Sequence, residues 1–303
     1  MTTIYKCALA LLAGALLACG AAPPLDLVPA LWLGMAALAL LLDVDPAWPP
    51  FASRARVALA GARRGLAFGV GANLVALRFV PAVVARFTPL PWVVGALGLL
   101  LLAAFEGLRW MVAGVACETL ARARVPRPLA FAAAVYAGTF VPTMMPWTVA
   151  GGASPWPAMV QLADVVGERG VAAWMALTAG LLAASVTALR RGTRRRGALA
   201  FAGAVALLGA QVVSGKARMA EVERLRAGAP HVAVAMVQPS IEATTRPEEA
   251  QAPAILARLT SLTELAESRG ADLVVWPEAA YPYPLPHGVR REPDPARAVL
   301  QPG

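Results

Sequence analysis

The chain has 303 residues, 58% of them hydrophobic and 15% charged, with a mean hydropathy of +0.62. Soluble domains run at about 45–50% apolar, so this balance, with long apolar stretches recurring to about residue 213, excludes an ordinary soluble protein and indicates a membrane one. The net charge of +9 is almost wholly arginine, Lys6 and Lys216 being the only lysines. Because the arginines sit in short segments between apolar runs, they read as membrane-orientation charges and not as a nucleic-acid footprint.

In chain order, seven spans are predicted at about residues 4–22, 25–42, 65–85, 90–112, 128–149, 171–189 and 197–213, the last two free of charge. The first two are parted only by Ala21 to Asp26, where Pro23 and Pro24 stop the helix and force a hairpin. Gly14, Gly69, Gly71, Gly95 and Gly98 are expected to let helices approach closely. Cys7, Cys19 and Cys117 all lie in or beside apolar runs, which favours small buried hydrophobes over a disulfide framework. A lipoprotein-type signal ending before Cys19 is the competing reading there, and the six spans that follow weigh against it.

Asn73, Arg78, Glu106 and Arg109 fall inside predicted spans. Such groups are costly in lipid unless paired or near the interface. Glu106 and Arg109, three apart, are placed to pair along one helix face. Arg78 either snorkels to the headgroups or receives a phospholipid phosphate.

Segments 43–64, 113–127 and 190–196 hold Arg54, Arg56, Arg63, Arg64, Arg122, Arg124, Arg127, Arg190, Arg191, Arg194, Arg195 and Arg196. The alternating segments hold only Arg86 and Arg169. Twelve against two is a strong positive-inside bias. The N-terminus is therefore predicted to be cytoplasmic, and an odd number of spans delivers everything after 213 to the opposite side. The expected organisation is a membrane bundle over 1–213, a linker or helical extension over 214–230, and a separate unit over 231–303.

In that unit, His231 to Val237 reads as a buried strand ended by Gln238-Pro239. Thr245-Arg246-Pro247-Glu248 has capping-box spacing and opens a helix to about Arg269. Ile255, Leu256, Leu259, Leu262, Leu265 and Ala266 line one face, Gly270 marks the stop, and Pro253 is expected to delay or kink the first turns. A second strand over 272–276 completes a right-handed parallel βαβ unit and runs straight into Trp276-Pro277-Glu278. Glu278 is either a solvated loop residue or a base delivered at a strand end, and the neighbouring Gln238-Pro239 strand end favours the base. His231 and His287 have no partner at ligand spacing, so no metal and no cofactor is expected. The Tyr281–His287 stretch, proline at every second position, is stiff and extended.

The seven spans, the Leu11–Pro24 hairpin, Pro146-Trp147, Pro155-Trp156, Gln161 to Asp164, Gly167 and Gly170, and finally Trp276-Pro277-Glu278, give the chain its likeness. It resembles the apolipoprotein N-acyltransferases, which carry a nitrilase-type (carbon–nitrogen hydrolase, αββα sandwich) domain on a polytopic bundle in the bacterial inner membrane. The resemblance implies a two-step acyl transfer run by Glu, Lys and Cys. The Cys takes an acyl chain from a membrane phospholipid as a thioester, then passes it to the α-amino group of a diacylglyceryl-modified apolipoprotein. It implies Glu278 as the base; the thiol needs such a base or a nearby cation to ionise, and the Lys steadies the oxyanion.

The chain departs from this pattern in three ways. No Lys or Cys follows Glu278, and the 73 residues from His231 to Gly303 are too few to close the sandwich. Residues 130–143 lack the acid and arginine that the family usually carries one turn apart before its Pro-Trp. The chain alone is thus expected to be an inactive, truncated member. Two other readings are a non-catalytic scaffold binding lipid or lipoprotein, and a transporter, against which the lack of an internal repeat counts.

Overall fold

The computed structural model describes residues 3–21, 25–42, 54–145, 147–241, 251–278 and 280–283. Two compact units divide the chain, Met1–Ala227 and Gly228–Gly303.

The first unit is a helical bundle of α1 (Thr3–Cys19), α2 (Pro29–Leu41), α3 (Arg54–Ala76), α4 (Val80–Phe87), α5 (Trp92–Glu106), α6 (Leu108–Arg122), α7 (Arg127–Gly138), α8 (Ala163–Arg190) and α9 (Arg194–Ala227). Gly107 has helical angles (φ −66°, ψ −18°), so α5 and α6 form one continuous helix, Trp92–Arg122. Among the described residues three helices are long and apolar enough to cross a membrane: Trp92–Arg122, Ala163–Arg190 and Arg194–Ala227. A fourth is added if α3 and α4, bent by 51°, form one span. Apolar α1 and α2 have 17 and 13 residues. They extend about 26 and 20 Å, against a hydrocarbon core of about 30 Å.

Local chemistry explains where these helices depart from the expected boundaries. The bend follows from Pro81, which has no N–H for the Leu77 carbonyl; Val80 N–H donates to that carbonyl instead, at 2.9 Å. The span expected over 128–149 is helical only to Gly138, because Pro142 denies its predecessor Val141 the helical region. Irregular chain and two short 3-10 turns, Gly151–Ala153 and Pro157–Met159, follow before α8. The arginine-rich segments expected as loops are largely helix, with α3 starting at Arg54 and α6 reaching Arg122. Pro23-Pro24 and Pro146 lie outside the described residues.

Backbone contact between helices holds this unit together. A β-carbon on Gly65 would stand 2.0 Å from the Trp110 carbonyl oxygen, and one on Gly114 2.2 Å from that of Gly61, so α3 and α6 touch through glycine. Beside this seam the buried Phe68 meets the Trp110 ring edge-on at 4.5 Å. Gly14, Gly69, Gly71 and Gly95 are closely approached in the same way, but Gly98 faces open space.

The second unit consists of β1 (Val234–Met236), α10 (Ala252–Ser268) and β2 (Leu273–Val275). The strands are parallel and adjacent, with Val234 opposite Leu273, Ala235 opposite Val274 and Met236 opposite Val275. Each is shorter than expected. The Thr245–Glu248 capping box lies outside the described residues, and α10 begins at Ala252. Pro253 sits in the first turn, where a missing N–H costs nothing, so it produces no kink. Gly270 (φ +84°) ends the crossover in the left-handed conformation. Buried Ile255 and Leu259 pack with Val237 and Ala280, joined by Leu262, Val274 and Trp276. Leu265, expected on this face, is exposed. The opposite sheet face leaves Val234, Met236, Leu273 and Val275 exposed.

Candidate functional site

Two places in the chain concentrate chemistry, one in each unit. In the bundle, a cavity of about 490 Å³ opens between the C-terminal ends of α1, α3 and α7, the start of α2, the α5–α6 junction and residues 147–149. Its walls are mainly small apolar side chains such as Ala72, Ala76 and Ala113, with Trp110 and Trp147 as aromatics and Asn73, Arg78, Glu106 and Arg109 as the strongly polar groups. Size and lining suit a largely apolar ligand.

Glu106 closes α5 and is 1% exposed, at the middle of the Trp92–Arg122 helix. Arg109 pairs with it at 2.8 Å, one turn on, as their spacing implied. The pair does more than neutralise itself. Glu106 Oε1 accepts the Met145 N–H at 2.9 Å. Arg109 donates to the Met145 carbonyl at 2.7 Å, to the Trp147 carbonyl and to the Thr143 hydroxyl. Irregular backbone within a helical bundle needs partners for its polar groups, and this pair supplies them for Met145 and Trp147. Both Glu106 oxygens are thereby occupied, and the carboxylate acts as an anchor for this segment.

Asn73 donates to the Gly69 carbonyl of its own helix at 2.8 Å. Arg78 is exposed, donates to Val75 at 3.1 Å and lines the same cavity. Sequence reading missed a second buried pair, Arg64 on α3 with Glu118 on α6 at 3.6 Å, where Arg64 also donates to the Leu41 carbonyl at 2.9 Å. An acid inside an apolar helix was the available signal. Further along, Gln211 of α9, fully buried, donates to the Met159 carbonyl at 2.6 Å and ties down the second 3-10 turn.

In the second unit Glu278 lies three residues past β2 and is exposed, in a turn closed by the Ala280 N–H on the Pro277 carbonyl at 3.1 Å. The strand end that carries it is fixed on both sides. Asp272 Oδ2 accepts the Ala233 N–H at 2.9 Å, the Val237 N–H donates to Val275 at 2.9 Å, and the Trp276 indole N–H donates to Thr263 of α10 at 2.9 Å. Trp276 thus packs and orients the segment. Cys7 and Cys19 are half-buried and Cys117 buried, none in a disulfide, and all three belong to the first unit. No group of three metal-ligating side chains occurs among the described residues.

A helical bundle of membrane-spanning type, stitched by buried ion pairs and followed by a parallel βαβ unit ending on Trp-Pro-Glu, is the class these features define. Residues 13–181 match the family described as apolipoprotein N-acyltransferase N-terminal domain, and the chain belongs to the apolipoprotein N-acyltransferase family. It is 30% identical over 272 residues to the apolipoprotein N-acyltransferase of Brucella melitensis biotype 1, covering 87% of this chain and 50% of that protein. The enzyme of the same name from Sinorhizobium medicae is 33% identical over 161 residues, 52% of this chain and 29% of its own length. The chain spans about half the length of the Brucella relatives it matches.

Proposed function

We propose that this chain supplies the membrane bundle and the opening of the nitrilase-type domain of an apolipoprotein N-acyltransferase. The observation that carries the reading is Trp276-Pro277-Glu278 directly after the second strand of a parallel βαβ unit, in a chain of this family. In the proposed reaction Glu278 takes the proton of a cysteine thiol. The thiolate attacks a phospholipid ester carbonyl, and the lysophospholipid leaves as its alkoxide, collecting that proton. The α-amino group of a diacylglyceryl-cysteine apolipoprotein then attacks the thioester, forming an amide and releasing the thiolate. The thiol and the oxyanion-stabilising Lys of this reaction correspond to no residue of 231–303. Arg78, exposed at the apolar cavity, is the proposed contact for the donor phosphate.

Seven helical segments, with α3–α4 and α5–α6 each taken as one, are proposed to cross the inner membrane. The arginine bias puts the N-terminus in the cytoplasm and 231–303 in the periplasm. The domain limits are 1–213, 214–230 and 231–303, with α9 continuing as helix to Ala227. Reporter fusions test the orientation: a fusion after residue 230 active only in the cytoplasm overturns it.

The activity is tested with the 303-residue chain and with the same chain extended by the C-terminal half of a relative. The short form is expected to form no acyl-thioester and the extended form to form one. Thioester formation by the short form refutes the assignment of roles. A second reading, a non-catalytic bundle that binds lipid, draws on the 490 Å³ apolar cavity. It predicts lipid binding by both forms and acyl transfer by neither.

A further inference from the structure

At the end of the bundle remote from Glu106, a second cavity of about 370 Å³ lies between α2, α6, α7, α8 and α9. Opposite ends are evident along each shared helix. On α2 the first cavity takes Leu31 and the second Ala39; on α6 Trp110 and Cys117; on α7 Val135 and Arg127. Three guanidinium-bearing residues line this second cavity, Arg127, Arg191 and Arg196, together with Thr187 and Thr193, and among the described residues no carboxylate lines it. Glu118, next to Cys117 in sequence, is turned to Arg64. The remaining lining is alanine, Gly180 and Phe131, an apolar wall continuous with the basic rim.

The rim has a fixed backbone. α8 ends in a left-handed glycine turn: Thr193 N–H donates to Ala188 at 2.9 Å, Gly192 N–H to Leu189 at 3.0 Å, and Gly192 has φ +74°. The Thr193 hydroxyl also donates to the Ala188 carbonyl at 2.9 Å. Arg191 therefore precedes and Arg196 follows a two-residue corner held by three hydrogen bonds, while Arg127 is positioned by its own bond to the Leu42 carbonyl at 2.8 Å. A planar guanidinium fork matches phosphate oxygens two at a time. Arginines at the edge of an apolar interhelical cavity are the arrangement that holds an anionic lipid by its head and tails together.

We propose that this cavity binds the phosphodiester headgroup of an anionic phospholipid, with its acyl chains along Phe131 and the alanines of α8 and α9. The site is separate from the cavity at Glu106, and its ligand is a bound structural lipid and not the acyl donor. Which leaflet it faces rests on the proposed orientation; the binding does not, so the two fail separately.

The test uses the purified 303-residue chain in nanodiscs of phosphatidylcholine doped with phosphatidylglycerol, with retained lipid counted by native mass spectrometry after detergent transfer. Phosphatidylglycerol is expected to be retained at least about tenfold over phosphatidylcholine. The R191Q/R196Q variant is expected to lose that preference, while R190Q/R194Q, which removes the same charge from residues outside the cavity lining, keeps it. R191K/R196K, which preserves charge and folding, is expected to keep only part of it, because ammonium lacks the fork. Equal loss in R190Q/R194Q overturns the proposal in favour of general basic attraction. Displacement of the lipid by millimolar inorganic phosphate overturns the lipid assignment in favour of free phosphate.

Discussion

The bundle and the βαβ unit expose apolar side chains to a similar extent, and the same exposure means different things in each. On α5, Leu101 is 73% exposed and Val93 62%; on the strands, Met236 is 85% exposed and Val234 52%. For the helix, whose backbone hydrogen bonds are all internal, lipid is an acceptable solvent for such a surface. For a two-stranded sheet in water the same surface is a liability, since both its face and its edges invite pairing. Lipid would satisfy the first surface, whereas the second would need a covering of protein.

The comparison is tested most strongly through chemistry that the second unit alone would contribute. In the extended protein, Glu278→Gln keeps shape and removes the base, and acyl-thioester formation is expected to fall about 10²–10⁴-fold. Cys117→Ala, in the bundle, is expected to leave it within a few fold. Undiminished thioester formation in the Glu278→Gln protein would remove the second unit from the mechanism.

The bundle's own integrity should answer to its buried pair. Arg109→Ala leaves Glu106 without its cation, and the Met145 and Trp147 carbonyls and the Thr143 hydroxyl without the Arg109 donor bonds, and is expected to cost about 3–5 kcal/mol. Denaturation in detergent micelles measures it. A change under about 1 kcal/mol would show that the pair is solvated and the cavity open to water. Limited proteolysis sharpens the contrast further: 231–303 is expected to be cleaved while α5–α6 and α8 survive. Survival of 231–303 at protease levels that cut linkers would mean its open face is covered.

The smallest effect is expected from paired glycine substitutions. Gly65→Ala collides with the Trp110 carbonyl and is expected to cost about 1–3 kcal/mol. Gly98→Ala, with nothing within 4 Å, is expected to stay within about 0.5 kcal/mol. Equal effects at the two positions would argue against a close α3–α6 seam.

What the sequence revealed and withheld follows from the range of each interaction. The Glu106–Arg109 pair was legible because it is closed within one helical turn. Its grip on 143–147 was not, because that requires the chain to fold back 36 to 39 residues later. Hydropathy located α8 and α9, but it ran the fifth span past Gly138, where Pro142 acts as a local veto, and it treated helical arginines in α3 and α6 as loop charges. A glycine's partner is set by tertiary packing, so Gly98 read the same as Gly95. Glu278 was singled out from three adjacent letters after an apolar run, and its role as a base is a proposal. The Thr263–Trp276 bond that steadies it joins residues 13 apart across a crossover.

The Glu106–Arg109 arrangement also has a consequence in time. The pair forms within a single helix, so its charges are matched as soon as residues 92–122 are made. Three of the donor bonds of Arg109 then wait for a strip of backbone up to 38 residues downstream. At synthesis rates of about 5–20 residues per second, that gap lasts roughly 2–8 s. During that interval the nascent chain carries a half-saturated guanidinium, a ready-made catch for the incoming Thr143–Trp147 segment. Released chains truncated near residue 135 should therefore hold α5–α6 in the membrane with Arg109 still reactive to a water-soluble dicarbonyl reagent, and chains ending past residue 190 should have lost that reactivity. Equal labelling at the two lengths would mean that the catch closes by some other route.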